Sequence, residues 1–299
     1  MYPFYPYYDK KVKCEDQPIS FPPQHQEQHP GYEHEMKPRP IAENPNYTGS
    51  NKLKDQVAII TGGDSGIGRA TAIAFAKEGA HIVIPYYNEH QDAEETKQRI
   101  EQLGRRCLTI SGDLSEEHVC QHVVNETMNY FKRIDTLINN VAVQYPKESI
   151  LDISAEQLEY TFKVNIFSFF YMTKAALPHM KAGSSIINTS SVTAYRGHEK
   201  LIDYSATQGA VVTFTRSMSK SLAEDGIRVN AVAPGPIWTP LIPSSFSEDE
   251  VKTFGTNTPM KRPGQPFELA PTFVYLASTD SCYVTGQVLH VNGGEMVGS

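Results

Sequence analysis

The residues with the clearest chemical spacing are glycines. Gly62-Gly63-Asp64-Ser65-Gly66-Ile67-Gly68 follows the β-branched run Val57–Thr61 and leads into the helical stretch Arg69 to Phe75. A strand, a glycine turn and a helix N-terminus form the layout that binds a dinucleotide pyrophosphate. Glycine lets the backbone turn tightly and approach the phosphates, while the first helical N–H groups supply donors. Gly62, Asp64, Ser65, Gly66, Ile67 and Gly68 are the first cofactor-binding candidates. A merely flexible turn is the bland alternative, and the position at the first strand-to-helix junction argues against it. The choice of cofactor turns on charge near the adenosine ribose. A carboxylate there favours a 2′-hydroxyl, whereas an arginine accepts a 2′-phosphate. The second strand ends Pro85-Tyr86-Tyr87-Asn88, with neither, and Asp64 adds negative charge nearby. NAD is the expected cofactor, with Tyr86 beside it, and NADP is disfavoured.

Histidine clusters carry less. His118 and His122 lie one helical turn apart with Cys120 between them, but no third ligand is evident and Val119, Val123 and Val124 mark a buried stripe. A solvated helix face is the better reading. His25, His29 and His34 fall in a segment with no rigid element to converge them. No metal site is expected.

Elements that position the glycine loop follow in regular order from Gln56. Expected strands are Val57–Thr61, His81–Pro85, Cys107–Ile110, Thr136–Asn139, Ser185–Thr189, Ile227–Val232 and Val288–Val291. Expected helices are Gly66–Glu78, Asp92–Leu103, Ser115–Phe131, a long one over Ala155–Lys181, and Asp203–Glu224. Such alternation implies an α/β fold, a doubly wound parallel sheet covered on both faces, because each crossover returns the chain to the starting edge.

Thr61-Gly62-x-x-x-Gly66-Ile67-Gly68 resembles the compact branch of the short-chain dehydrogenase/reductase superfamily. The resemblance continues in order from about residue 53 to the end. Asp113-Leu114 ends the third strand, where that family contacts adenine. Asn139-Asn140-Val141-Ala142 stands in place of its Asn-Asn-Ala-Gly, and Pro234-Gly235-Pro236-Ile237-Trp238-Thr239 follows the sixth strand, where it closes over nicotinamide. Thr285-Gly286-Gln287 and Val291-Asn292-Gly293-Gly294 resemble its last strand. Within the superfamily the chain is most similar to bacillary general-stress and glucose-dehydrogenase-like oxidoreductases, some of which carry an N-terminal arm. The resemblance implies a Rossmann fold and a homotetramer built through two long helices and the last strand. It adds Asp113, Leu114, Asn139, Val141, Ala142, Pro234, Gly235, Ile237 and Thr239 to the cofactor site.

It also implies a catalytic set. The family uses a Tyr as proton donor or base, a Ser hydroxyl to polarise the substrate oxygen, and an Asn to help hold a water relay; these roles fall on Tyr204, Ser191 and Asn165. Ser190 competes, but the thirteen-residue spacing to Tyr204 selects Ser191. The family's fourth member is a Lys four residues after the Tyr, bound to the nicotinamide ribose and lowering the Tyr pKa. Gln208 holds that position here. Glutamine can donate to and accept from ribose hydroxyls, so Tyr204 and Gln208 remain cofactor contacts, but it carries no charge. Tyr204 is then a poorer base at neutral pH, with Lys200 in the preceding loop a substitute cation. The expected reaction passes hydride between NAD(P), NAD favoured, and a secondary alcohol or its carbonyl. Arg196, His198, Glu199 and Lys200 are expected at the substrate entrance, and Leu241, Ile242, Phe246 and Phe254 in the family's mobile lid. Polar walls under an apolar lid suit a sugar, polyol or small ketone. A dinucleotide-binding sensor or scaffold with little catalysis is the alternative that Gln208 keeps open, and a nucleotide-sugar epimerase is more distant.

Composition is consistent with these expectations. The 299 residues carry a net charge of −7 with 27 Lys+Arg and 34 Asp+Glu, so there is no basic stripe for nucleic acid. The longest nearly apolar stretch, Val164 to Met172, is far short of the ~20 residues a membrane span needs. Four scattered cysteines without a CxxC pair, and no secretory pattern after Met1, suit a cytoplasmic protein. Residues 1–50 differ from the rest, with nine of the 20 prolines and six of the 16 tyrosines. They are expected to form an extended arm beside a domain over 51–299. Its Pro-rich stretch with scattered Gln, His and Glu is open to a disordered reading, and its MYPFYPYY aromatics favour docking on a neighbouring subunit.

Overall fold

Seven short runs of mostly apolar residues become the strands of one parallel sheet. They are β1 Val57–Ile60, β2 His81–Tyr86, β3 Cys107–Ser111, β4 Thr136–Asn139, β5 Ser185–Thr189, β6 Arg228–Pro234 and β7 Val288–Val291. Their order is β3-β2-β1-β4-β5-β6-β7, with every neighbouring pair parallel. Ala58 of β1 stands beside Ile82 of β2 on one side and Thr136 of β4 on the other. The strand order reverses at β1, which opens a crevice at the carboxyl ends of β1 and β4. This is the doubly wound Rossmann arrangement in a single domain. The computed structural model describes residues 11–12, 15–16 and 18–297.

Helices cover both faces: α1 Gly66–Lys77, α2 His90–Gln102, α3 Glu117–Phe131, α4 Ala155–Phe162, α5 Ser168–Ala176, α6 Ile202–Leu222 and α7 Pro266–Ala277. One core joins α1 and α7 to the sheet through Phe75, Ile82, Ile84, Leu269 and Phe273. The other joins α3 and α5 to the opposite face through Val123, Val124, Leu137, Met172 and Ile186. Burying both faces is why the strands read as apolar runs rather than alternating ones.

Two elements depart from the sequence expectation. The long helix over Ala155–Lys181 is broken by a π-helical turn at Lys163–Phe167 and ends in a 3-10 turn at Leu177–His179. Helix α7 lies in a stretch that gave no helical expectation. Pro266 occupies its first turn, where a missing N–H costs nothing, and the Gln265/Glu268 capping box fixes its start.

The described part of the arm, residues 18–50, packs on the chain's own domain. Phe21 stacks on the fully buried Trp238 with ring centroids 3.7 Å apart, and the Trp238 indole donates to the Pro38 carbonyl at 2.9 Å. Glu43 pairs with Lys77 and Arg99, and the Tyr47 hydroxyl donates to Glu78. Ile41 N–H donates to the Gln265 side chain. The aromatics at 2–8 lie outside the described residues.

Candidate active site

The crevice opens into a cleft with about 270 Å³ of internal space. Its floor is the glycine loop. Gly62 and Gly66 adopt positive φ of 64° and 51°, a backbone that side chains rarely tolerate. A methyl group on Gly66 would come 3.0 Å from the Thr239 side chain. Behind the loop the Thr61 hydroxyl accepts from the backbone N–H groups of Asn140 (2.8 Å) and Val141 (3.1 Å), which fastens β1 to the end of β4.

Most of the expected cofactor residues line this cleft. Gly62, Asp64, Ser65, Gly66 and Ile67 come from the loop, Tyr86 from β2, and Asp113 and Leu114 follow β3. Val141 and Ala142 follow β4, and Pro234, Gly235, Ile237 and Thr239 follow or end β6. Gly68, Asn139 and Asn165 stand behind the wall instead. A methyl group on Gly68 would lie 2.0 Å from the Gly62 carbonyl, so its lack of a side chain serves helix-to-loop packing. The Asn139 amide donates to Asn188 at 2.9 Å, within the sheet. Asn165, in the π-turn, accepts from the Val143 N–H and donates to the Val143 carbonyl, both at 2.8 Å, and to the Thr207 hydroxyl. It therefore ties α6 and the π-turn to the segment after β4, a bridge its type alone did not reveal.

One residue lining the cleft and one behind its glycine loop went unrecognised in the sequence. Glu89, just past the expected ribose position, lines the cleft and is 4% exposed. Burial raises both its carboxyl and that of Asp64 above their ordinary range, with repulsion from Glu89 adding to the rise at Asp64 and repulsion from Asp92 adding to that at Glu89. Glu33, from the arm, accepts from the Gly66 N–H at 2.6 Å and from Arg69 at 2.7 Å. Nothing in local spacing could announce either contact.

On the opposite wall β5 and α6 bring the expected reactive groups together. Tyr204 and Ser191 line the same wall, and the Ser191 oxygen accepts from the Thr193 N–H. Ser190 also lines the cleft, but its hydroxyl donates to the Gln208 backbone carbonyl at 3.0 Å. Burial pushes the Tyr204 phenol up to about 12, with the Ser191 hydroxyl acting in the other direction. Lys200 is not a substitute cation, because its ammonium is held by Glu148 (2.7 Å) and Glu250 (3.3 Å). Gln208 lines the cleft one turn beyond Tyr204. It is 2% exposed, and its side-chain carbonyl oxygen has no partner. An unmatched buried acceptor is costly, and a ribose hydroxyl would satisfy it. Together with the glycine cradle, this acceptor fits a nicotinamide dinucleotide.

Arg196, paired with Glu295 at 2.9 Å, and His198 line the cleft beyond Ser191, while Leu241, Ile242, Phe246 and Phe254 form its apolar side. The histidine clusters do not converge. His118 and His122 are exposed while Cys120 faces the core. His25, His29 and His34 contact Phe246, Ser244 and Asp92 separately. Among the described residues no group of three His, Cys, Asp or Glu could hold a metal, and no helix is long and apolar enough to cross a membrane.

Fold and cleft together define a dinucleotide-binding α/β oxidoreductase. The comparisons sharpen that class. A family model described as enoyl-(acyl carrier protein) reductase matches residues 62–295. The uncharacterized oxidoreductase YhdF of Bacillus subtilis is 62% identical over 92% of this chain and 95% of its own length. Glucose and ribitol dehydrogenase of Daucus carota is 51% identical over 93% and 97%. NADPH-dependent aldehyde reductase 1, chloroplastic, of Arabidopsis thaliana is 53% identical over 91% and 98%. Among solved structures, a short-chain dehydrogenase from Burkholderia cenocepacia in complex with NADP superposes with a TM-score of 0.77 at 26% identity, covering 82% of this chain and 99% of that one. A 3-ketoacyl-(acyl-carrier-protein) reductase from Brucella melitensis complexed with NADH gives 0.74 at 30%, covering 82% and 100%. The chain belongs to the short-chain dehydrogenase/reductase family of oxidoreductases.

Proposed function

We propose that the protein passes hydride between NAD(H) and a secondary alcohol or its carbonyl, with Tyr204 as the proton donor and acceptor. The observation that carries this reading is buried Tyr204 beside Ser191 on the wall of a glycine-floored cleft, with the unmatched side-chain carbonyl oxygen of Gln208 one turn away. When bound, the dinucleotide supplies or accepts the hydride. Ser191 holds the substrate oxygen, and in reduction Tyr204 gives its proton to that oxygen as the carbon receives hydride. In oxidation Tyr204 takes the proton back. A phenol held near about 12 stays protonated at neutral pH, which suits reduction. Gln208 accepts from a ribose hydroxyl, and the carbonyl oxygen lies between Tyr204 and Ser191.

The ribose end favours NAD. Neither Asp64 nor Glu89 offers a 2′-phosphate a cation, and Arg196, the one Lys or Arg lining the cleft among the described residues, lies beyond Ser191 at the other end. Relatives named for NADPH and NADH both exist, so the residues at the ribose position carry the choice. Arg196, Glu295 and His198 opposite an apolar wall suit a sugar, polyol or small ketone. The names of the carrot dehydrogenase and the Arabidopsis reductase support that range. Phe167 and Phe170, exposed near α5, and Tyr283, before β7, supply apolar surface for a homotetramer. Buried Cys107 and Cys120 are free thiols, in keeping with a cytoplasmic setting. The test is a screen of carbonyls and alcohols with NAD(H) and NADP(H), read at the nicotinamide absorbance.

A second reading, a dinucleotide-binding sensor or scaffold, draws on the absence of a nearby cation among the groups acting on Tyr204. It predicts NADH binding without turnover of any substrate in that screen.

A further inference from the structure

Helix α1 lacks a cap of its own. Ser65, at its N-cap position, makes no side-chain capping bond. The bond comes from the arm. The Glu33 carboxylate is 1% exposed and accepts from the Gly66 N–H at 2.6 Å through one oxygen and from Arg69 at 2.7 Å through the other. Arg69 is in turn held by the Asp64 carbonyl (2.8 Å), the Thr96 hydroxyl (2.7 Å) and the Asp92 carbonyl (2.7 Å). Asp92 closes the ring by accepting from the Glu33 and His34 N–H groups at 2.8 and 3.0 Å. Arm, glycine loop and α2 are thus one buried polar network, which is rigid when every member is satisfied.

The same arm segment meets the lid side. Pro30 and Gly31 line the cleft, and a methyl group on Gly31 would lie 2.6 Å from the Pro240 carbonyl. Gln26 N–H donates to the Pro243 carbonyl at 2.8 Å, and His29 hydrogen-bonds to Ser244 at 3.1 Å. Residues 26–34 therefore fasten the glycine loop, the start of the lid segment and α2 to one another.

We propose that Glu33 is a positioning residue for dinucleotide binding, holding Gly66 and the start of α1 so that the neighbouring N–H groups face the pyrophosphate. The inference rests on the dinucleotide reading above. Its reach is specific: the loop conformation, with Gly66 at positive φ, is one the local chain supports poorly without a partner for its N–H. Arm contacts elsewhere, such as Glu43 with Lys77 and Arg99, hold the arm but not the loop.

Calorimetric titration of the full chain with NADH tests it. Glu33→Ala weakens NADH binding by roughly fivefold to a hundredfold, the range usual for coupled sites. Glu33→Gln keeps an acceptor for the Gly66 N–H and recovers most of the affinity. Glu43→Ala, which loosens the arm away from the loop, leaves it unchanged. Equal affinity in Glu33→Ala and wild type, tighter binding in Glu33→Ala, or equal losses in Glu33→Ala and Glu43→Ala overturns the assignment. A measurement on wild type alone guards against a variant that does not fold. By reciprocity NADH must slow amide exchange at Glu33 to Met36, and unchanged exchange at saturating NADH contradicts the proposal. No binding of NADH to wild type overturns the dinucleotide reading itself, and this inference with it.

Discussion

Replacing Gln208 with lysine puts an ammonium one turn from the Tyr204 phenol on the same face of α6. Burial holds that phenol at about 12, with the Ser191 hydroxyl acting in the other direction. Side chains four apart on a helix have Cβ atoms about 5–6 Å apart. A unit charge about 6 Å away at an effective dielectric of about 20 stabilises the phenolate by roughly 3 kcal/mol, or about two pKa units. Gln208 is 2% exposed, so the new ammonium loses hydration and gives part of this back. A net shift of about one unit is expected, and it acts in one direction. Alcohol oxidation draws on the phenolate, so below both pKa values Gln208→Lys raises its rate about tenfold. Carbonyl reduction draws on the protonated phenol, which is already dominant, and changes less. The assay is the initial rate of each direction at saturating dinucleotide, followed from about pH 6 to 10, where the phenolate fraction still climbs tenfold per unit. Identical oxidation profiles in wild type and variant, with NAD affinity retained, refute the electrostatic account of Gln208.

Tyr204→Phe lowers turnover by about a hundredfold or more, the contribution usual for general acid–base catalysis, while calorimetric NADH affinity stays within twofold, on the order of experimental scatter. Comparable turnover in the variant removes Tyr204 from the mechanism. Phe21→Ala empties the stack on Trp238 and costs about 3–5 kcal/mol of unfolding free energy, read by denaturant titration. A change below about 1 kcal/mol, ordinary for surface positions, means the arm adds little to the domain. Glu89→Gln with Tyr87→Arg removes one carboxyl and supplies a phosphate partner at the exposed rim, so the NADH-to-NADPH affinity ratio falls. A ratio that does not move shows that charge at this end does not set cofactor choice.

Local pattern carried the parts of this structure that depend on neighbours in sequence. The sheet strands are continuous apolar runs bounded by turn residues, and Thr136–Asn139, Ser185–Thr189 and Val288–Val291 match in extent. The glycine loop was legible because tight turns need glycine at fixed offsets, and Ser191 and Tyr204 because their spacing matches a family pattern. What was not legible depends on contacts between distant segments. Helix α7 contains Pro266 and Pro271, which read locally as breakers, and its burial against α1 overrides them. The π-turn at Asn165 follows from bonds to Val143 and Thr207, 22 and 42 residues away. The arm has no period to read, yet its Glu33 reaches Gly66, 33 residues on. Glu89 lies one residue past the strand end inspected for charge, and only the folded loop turns it toward Asp64.

Transfer of deuterium tests the central claim most directly. The protein is incubated with NADH deuterated at the transferable nicotinamide position and a panel of aldoses, small ketones and aldehydes, and the products are read by mass spectrometry. The account predicts deuterium on the carbinol carbon of at least one product with wild type and almost none with Tyr204→Phe. NADH that binds while no label reaches any carbonyl contradicts it, and leaves a dinucleotide-binding protein that does not carry out the reaction.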